Sequence, residues 1–211
     1  LFACAGKANQ ILAYDEQGKA SPIASGFRGN DLVVRADGTA WVTEPGWDGK
    51  SPSKIWLIPK GGEPKVVDTG LQFSNGITLS PDQSLLYVAD SRTKWVYSYQ
   101  IQSDGSLAHK QKYYWLHEPD TAEDAGPDGL EVDSAGRLYV ATRMGIQVCD
   151  QAGRVNCIIP TPNRKVSNLC FGGEKFDTLY ATCGDKVYKR KMKATGSPHF
   201  LPPIKPKPPG L

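Results

Sequence analysis

The sequence predicts an all-β protein built as a β-propeller, and three observations carry that prediction. A motif of polar opener, short apolar run, turn and second apolar run recurs four times along the 211 residues. Most occurrences are followed by two further strand-like runs, giving four strands per repeat of about 40–50 residues, the size of a propeller blade. No segment carries the periodicity of a long amphipathic helix. A two-sheet sandwich is the structural alternative, but it does not require a periodic opener.

The repeats are Asn30–Thr43, Asn75–Ala89, Asp128–Ala141 and Asn168–Thr182. Their apolar runs are short, rich in β-branched and aromatic residues, and separated by turns such as Asp37-Gly38 and Ala135-Gly136, which is a hairpin signature. Third strands are expected at Ile11–Tyr14, Ile55–Ile58, Val96–Ile101, Ile146–Cys149 and Val187–Lys191. Fourth strands are expected at Ala20–Ala24, Pro64–Val67, His109–Leu116 and Asn156–Ile159. Leu1–Gly6 resembles Leu179–Gly184, the second strand of a blade, so the repeat opens mid-blade. The expected organisation is a propeller over residues 1–196, incomplete at its N-terminus, and a Pro-rich tail over 197–211 holding six of the 16 prolines. Proline cannot pair within a central strand, so the tail is expected to lie on the propeller or trail in solvent.

Composition excludes several classes. Hydrophobic residues make up 39% and charged residues 22%, which rules out collagen, coiled coil and wholesale disorder. No apolar run approaches the roughly 20 residues of a membrane helix, so no membrane partner is expected. The net charge of +3 divides unevenly: residues 186–211 hold seven Lys/Arg and no acid, while residues 1–185 hold 18 basic and 22 acidic residues. No recognition motif accompanies the basic end, so no nucleic-acid partner is expected. The five cysteines form no CxxC or CxxH pair, which disfavours a structural zinc site. Cys149 and Cys157 flank the turn Asp150–Arg154; the better reading makes them two buried small hydrophobes, with a disulfide as the alternative. This sparse cysteine usage is compatible with the cytoplasm and with a periplasmic or secreted location.

In a propeller the first residues of each innermost strand gather at one mouth of the central channel. Asn30, Asn75, Asp128 and Asn168 are therefore expected to converge. Their oxygens suit a hard cation such as Ca²⁺; the competing reading is that Asn and Asp before Gly are ordinary turn residues. Other chemistry finds little support. There is no Gly-x-Ser-x-Gly elbow and no Gly-x-Gly-x-x-Gly. Gly49-Lys50-Ser51 fails as a phosphate loop because Glu44 stands where the first glycine is needed. His109, His117 and His199 form no paired ligand spacing.

Phe73–Asp82 with Leu86–Ser91, Pro127–Asp133, Asn30–Val34, and Cys170–Gly173 with Leu179–Thr182 together resemble the gluconolactonase / regucalcin (senescence marker protein) family, in continuous order over roughly residues 1–193. The resemblance implies a six-bladed propeller, of which about four to five blades are present here with the N-terminal blade missing. It implies a divalent metal at the channel mouth, Ca²⁺ first, with Zn²⁺ or Mg²⁺ as alternatives. Asn75 and Asp128 would be metal ligands, and Arg28, Asn30 and Asp48 would contact substrate. The family's remaining ligand, a Glu in a Glu-Gly-Pro segment, has no counterpart in this sequence. The implied activity is metal-dependent hydrolysis of a sugar lactone or similar cyclic ester by a monomer, with Asp128 taking the proton of the attacking water. A non-catalytic propeller and a paraoxonase-like or phosphotriester-cleaving propeller are the alternatives.

Overall fold

The structure is a computed structural model that describes residues 1–205; residues 206–211 of the predicted tail lie outside the described residues. Every regular element described is a strand, and eighteen of them form five antiparallel sheets in chain order. Blade 1 is β1 (Phe2–Ala5), β2 (Gln10–Tyr14) and β3 (Ala20–Ser25). Blade 2 is β4 (Leu32–Val34), β5 (Ala40–Glu44), β6 (Lys54–Ile58) and β7 (Lys65–Thr69). Blade 3 is β8 (Ser74–Leu79), β9 (Leu85–Asp90), β10 (Trp95–Ile101) and β11 (Leu107–Trp115). Blade 4 is β12 (Leu130–Val132), β13 (Leu138–Thr142), β14 (Gly145–Cys149) and β15 (Val155–Ile159). Blade 5 is β16 (Val166–Gly172), β17 (Thr178–Cys183) and β18 (Lys186–Lys191). Each sheet is a meander in which sequence neighbours pair, so the expected hairpins, third strands and fourth strands are present.

The core follows from this stacking. Four apolar clusters fill the four junctions between successive blades, including Ile11–Val42 contacts at the first and Tyr139–Phe171 contacts at the last. A sheet sandwiched on both faces must be apolar on both, which is why Leu138–Thr142 is buried at every position. Blade 5 is covered on one face only, and its β16 and β17 alternate buried and exposed residues. Val187 on β18 is 67% exposed. Among the described residues no apolar cluster joins blade 5 back to blade 1, so the five blades form an open arc; a cavity of about 600 Å³ lined by Phe2, Val33, Glu131, Phe171 and His199 lies within it.

Two expectations need correction. Cys149 is buried but Cys157 is exposed, and both thiols are free. A bulge between Val148 and Cys149 pairs Cys157 with Val148 and Cys149 with Val155, so the two cysteines are not cross-strand partners. Asn168 is also not the counterpart of the other openers. Leu169 pairs with Ala181 as Leu130 pairs with Val140, which places Ser167, not Asn168, in the slot of Asp128.

Inner strands meet most tightly just after the opener. A Cβ on Gly76 would stand 2.0 Å from the Asp128 carbonyl oxygen, and one on Gly129 would stand 2.1 Å from Asn168 Oδ1. Glycine is needed here for close approach of one blade to the next. Gly76→Ala is therefore expected to destabilise the fold by on the order of 3 kcal/mol, measured as a lowered midpoint in urea unfolding with an unchanged slope.

Candidate active site

The openers Asn30, Asn75 and Asp128 are brought to one mouth, each held by the strand beside it. Asn30 N donates to Thr43 O (2.7 Å) and Asp128 N donates to Ala141 O (2.9 Å). Asn75 is fixed from three sides. Thr43 Oγ1 of blade 2 donates to its carbonyl (2.7 Å), Asn30 Nδ2 donates to its Oδ1, and its Nδ2 donates to Ser91 Oγ (2.9 Å). Ser91 Oγ in turn donates to Pro127 O of the blade 4 opener (2.5 Å). The buried Asp90 carboxylate accepts from Gln72 N and Phe73 N, both at 2.9 Å, and so fixes the chain entering β8. The Asp90-Ser91 pair ending β9 thus positions the opener of its own blade and touches that of the next.

Sequence reasoning missed two carboxylates of this channel. Asp31 occupies the slot that Gly76 and Gly129 fill in the following blades, and its side chain crosses to blade 3, accepting from Ile77 N (3.3 Å) as well as from Leu32 N (2.8 Å). Glu131 sits between the apolar Leu130 and Val132 of β12 and accepts from Val132 N (2.9 Å). The signal was present as a charged residue interrupting an inner-strand apolar run. Burial pushes Asp128 up to about 6; Asn75 hydrogen bonding opposes this. Burial, reinforced by the Asp128 charge, pushes Asp31 up to about 6. Burial, reinforced by Asp31, raises Glu131 to about 7. Among the described residues no Lys or Arg is ion-paired with any of the three.

The rim of the mouth carries aromatic and cationic groups. The exposed Arg28 guanidinium lies over the Trp47 ring, 4.1 Å from its centroid, and Trp47 Nε1 donates to Arg28 O (3.0 Å). Trp47 meets Phe73 edge-on at 5.9 Å, and Arg92 lies over Phe73 at 5.2 Å. Asp48 is placed on the loop of Trp47, and its carboxylate is engaged locally. It accepts from Lys50 N (2.9 Å), Ser51 N (2.8 Å) and Ser51 Oγ (2.7 Å), and these bonds hold it down at about 2. Asn168 turns its Oδ1 to Leu169 N (2.8 Å) and is exposed.

Oxygen donors from two carboxamides and one carboxylate, with no sulfur or imidazole among them, fit a hard divalent cation. The shell is sparse in charge, since among the described residues no three His, Cys, Asp or Glu side chains group as a metal site.

The chain is thus an all-β β-propeller whose inner strands deliver polar openers to one mouth. Residues 3–185 match the SMP-30/Gluconolactonase/LRE-like region, and the chain belongs to that family. A gluconolactonase of Zymomonas mobilis is 29% identical over 188 residues, which is 79% of this chain and 51% of that protein. The chain thus spans about half the length of that relative. The solved structure of a gluconolactonase from Xanthomonas campestris superposes with a TM-score of 0.75 at 25% identity, over 89% of this chain and 67% of that one. A calcium-binding protein, regucalcin, from Agrobacterium tumefaciens superposes with a TM-score of 0.76 at 16% identity, over 94% and 74%.

The carboxylates give a pH dependence. Asp31 and Glu131 bind protons more tightly folded than unfolded, so the folded chain holds more protons between about pH 4 and 7. Their contribution to stability is fully present below that window and is lost as pH rises through it. In chelator, the unmodified chain is expected to lose several degrees more in melting temperature between pH 5 and pH 8 than Glu131→Gln does, as read by thermal unfolding.

Proposed function

We propose that this channel mouth binds a sugar lactone or a similar cyclic ester and hydrolyses it, with a divalent cation held by Asn75 and Asp128. The observation that carries the reading is the convergence of Asn30, Asn75 and Asp128 from three blades on one point, where the partly buried Asp128 carboxylate has no ion-paired Lys or Arg among the described residues. The relatives named gluconolactonase support the substrate class. Ca²⁺ is the leading cation, consistent with the oxygen donor set and with a regucalcin described as calcium-binding; Zn²⁺ and Mg²⁺ are the alternatives. When bound, the cation supplies Lewis-acid polarisation of an ester carbonyl.

The chain's own residues do the rest. Asp128 Oδ accepts the proton of the attacking water, which its ionised form can do at neutral pH. Asn30 Nδ2, which gives one hydrogen to Asn75 Oδ1, offers its second to oxygen that gains negative charge. Arg28, stiffened by its stack on Trp47, orients substrate hydroxyls. The flat faces of Trp47 and Phe73 give the sugar ring an apolar wall. Asp48 contributes to substrate contact at the rim through the Trp47 loop, which its carboxylate shapes by bonding Lys50 N, Ser51 N and Ser51 Oγ. The protein acts as a monomer on a small molecule.

Asp128→Ala is expected to lower lactone turnover by about 100-fold or more and to abolish Ca²⁺ binding, measured by hydrolysis assay and titration calorimetry. A panel of aldonolactones, aryl esters and phosphotriesters should show preference for the lactones. Turnover that survives both Asp128→Ala and chelator would remove the assignment in favour of a different propeller hydrolase, and no turnover on any member of the panel would favour a non-catalytic propeller.

A further inference from the structure

The chain does not leave the propeller after β18. Residues 195–204 return beneath the ends of the inner strands that lie opposite the Asn75 mouth, and they touch three blades in turn. At blade 4, Ser134 N donates to Thr195 O (2.8 Å), Ser197 N donates to Val132 O (3.0 Å), and Gly196 bridges to Asp133. At blade 5, Gly196 N donates to Phe176 O (2.7 Å). Gly196 also packs so closely that a Cβ there would stand 2.3 Å from Phe171 Cβ. At blade 3, Ile204 N donates to Pro81 O (2.7 Å), and the partly buried His199 places Nε2 2.8 Å from Thr78 Oγ1, while the same Nε2 lies 3.9 Å from Glu131 Oε1 of blade 4.

One side chain ties these contacts together. Gln83 sits in the turn between β8 and β9 with a φ of 57°, a left-handed conformation that costs a non-glycine residue energy. It is 6% exposed, yet every polar group of its carboxamide is used. Nε2 donates to both His199 O and Leu201 O at 3.0 Å, spending both hydrogens on the returning segment. Oε1 accepts from Ala36 N of blade 2 at 3.3 Å. A strained, buried amide with all its bonds made is a built feature rather than an incidental surface contact.

We propose that residues 195–204 are an intramolecular clasp, with Gln83 as its latch, that ties blades 2 to 5 together at the floor of the channel. Blade 5 is covered on one face only, and its other tie to the arc is its junction with blade 4. The clasp adds a second tie that runs from blade 5 to blade 3 without passing through that junction. It does not depend on the catalytic reading, since none of its residues lies at the Asn75 mouth.

Amide hydrogen exchange on the full chain tests this. In the unmodified protein the Ser197 and Ile204 amides should be protected at least 100-fold over unfolded-chain rates. Gln83→Ala should raise their exchange by 10-fold or more, and that of β16 and β17 by a smaller factor, while β9 and β13 keep their protection. Thr78→Val, which removes only the His199 contact, serves if Gln83→Ala fails to fold; it should loosen Ser197 and Ile204 in the same order. Unprotected Ser197 and Ile204 amides in the unmodified protein would overturn the proposal. So would a folded Gln83→Ala or Thr78→Val protein in which they exchange as slowly as before.

Discussion

The arrangement depends on how closely each inner strand approaches the next at the channel mouth. Gly76 leaves no room for a side chain against the Asp128 carbonyl, and Gly129 leaves none against Asn168. That spacing lets Asn30 reach Asn75, and it lets Ser91 bond to both Asn75 and Pro127. Blade 2 solves the same contact differently. Asp31 stands where the glycines stand, and its carboxylate takes the Ile77 amide of the neighbouring blade. The convergence of polar openers is therefore a consequence of blade packing, and the chemistry of the mouth is inherited from it.

The same packing sets the electrostatics. Asp31, Asp128 and Glu131 are withdrawn from water into one channel without a lysine or arginine to balance them, and each is driven toward its neutral form. Core packing alone would not select such an arrangement. Local rules are broken most often where a site needs them broken. A bound cation at the mouth would relieve the repulsion and return Asp128 to its charged form. The rim supplies the complementary sign: Arg28 and Arg92 sit on aromatic faces at the surface, outside the carboxylate column.

The blades were legible in the sequence because each is a local meander. Its strands follow one another, and its turns carry recognisable glycines and aspartates. The openers Asn30, Asn75 and Asp128 were legible for the same reason, being fixed in register with the first apolar run. Asn168 was misread by one position because Ser167, which fills the slot, lacks the amide or acid of the other openers, and Asn168 directly precedes the apolar run that begins at Leu169. Cys157 was misread because a bulge, invisible in composition, shifts its pairing. Asp31, Ser91 and Gln83 act between blades or on the returning segment, over separations of 36 to 118 residues. No local pattern encodes such contacts. Asp48 illustrates the converse: its position near the rim was readable, but its carboxylate is taken up by its own loop.

The proposed cation site is the point on which the account turns, and calorimetric titration of the chelator-treated chain with Ca²⁺ addresses it most directly. One Ca²⁺ per chain is predicted, bound with release of protons near pH 6 as Asp128 ionises, and lost in Asn75→Ala while the fold is retained. Ca²⁺ binding that is absent, or that persists unchanged in Asn75→Ala, would contradict the assignment of the channel mouth.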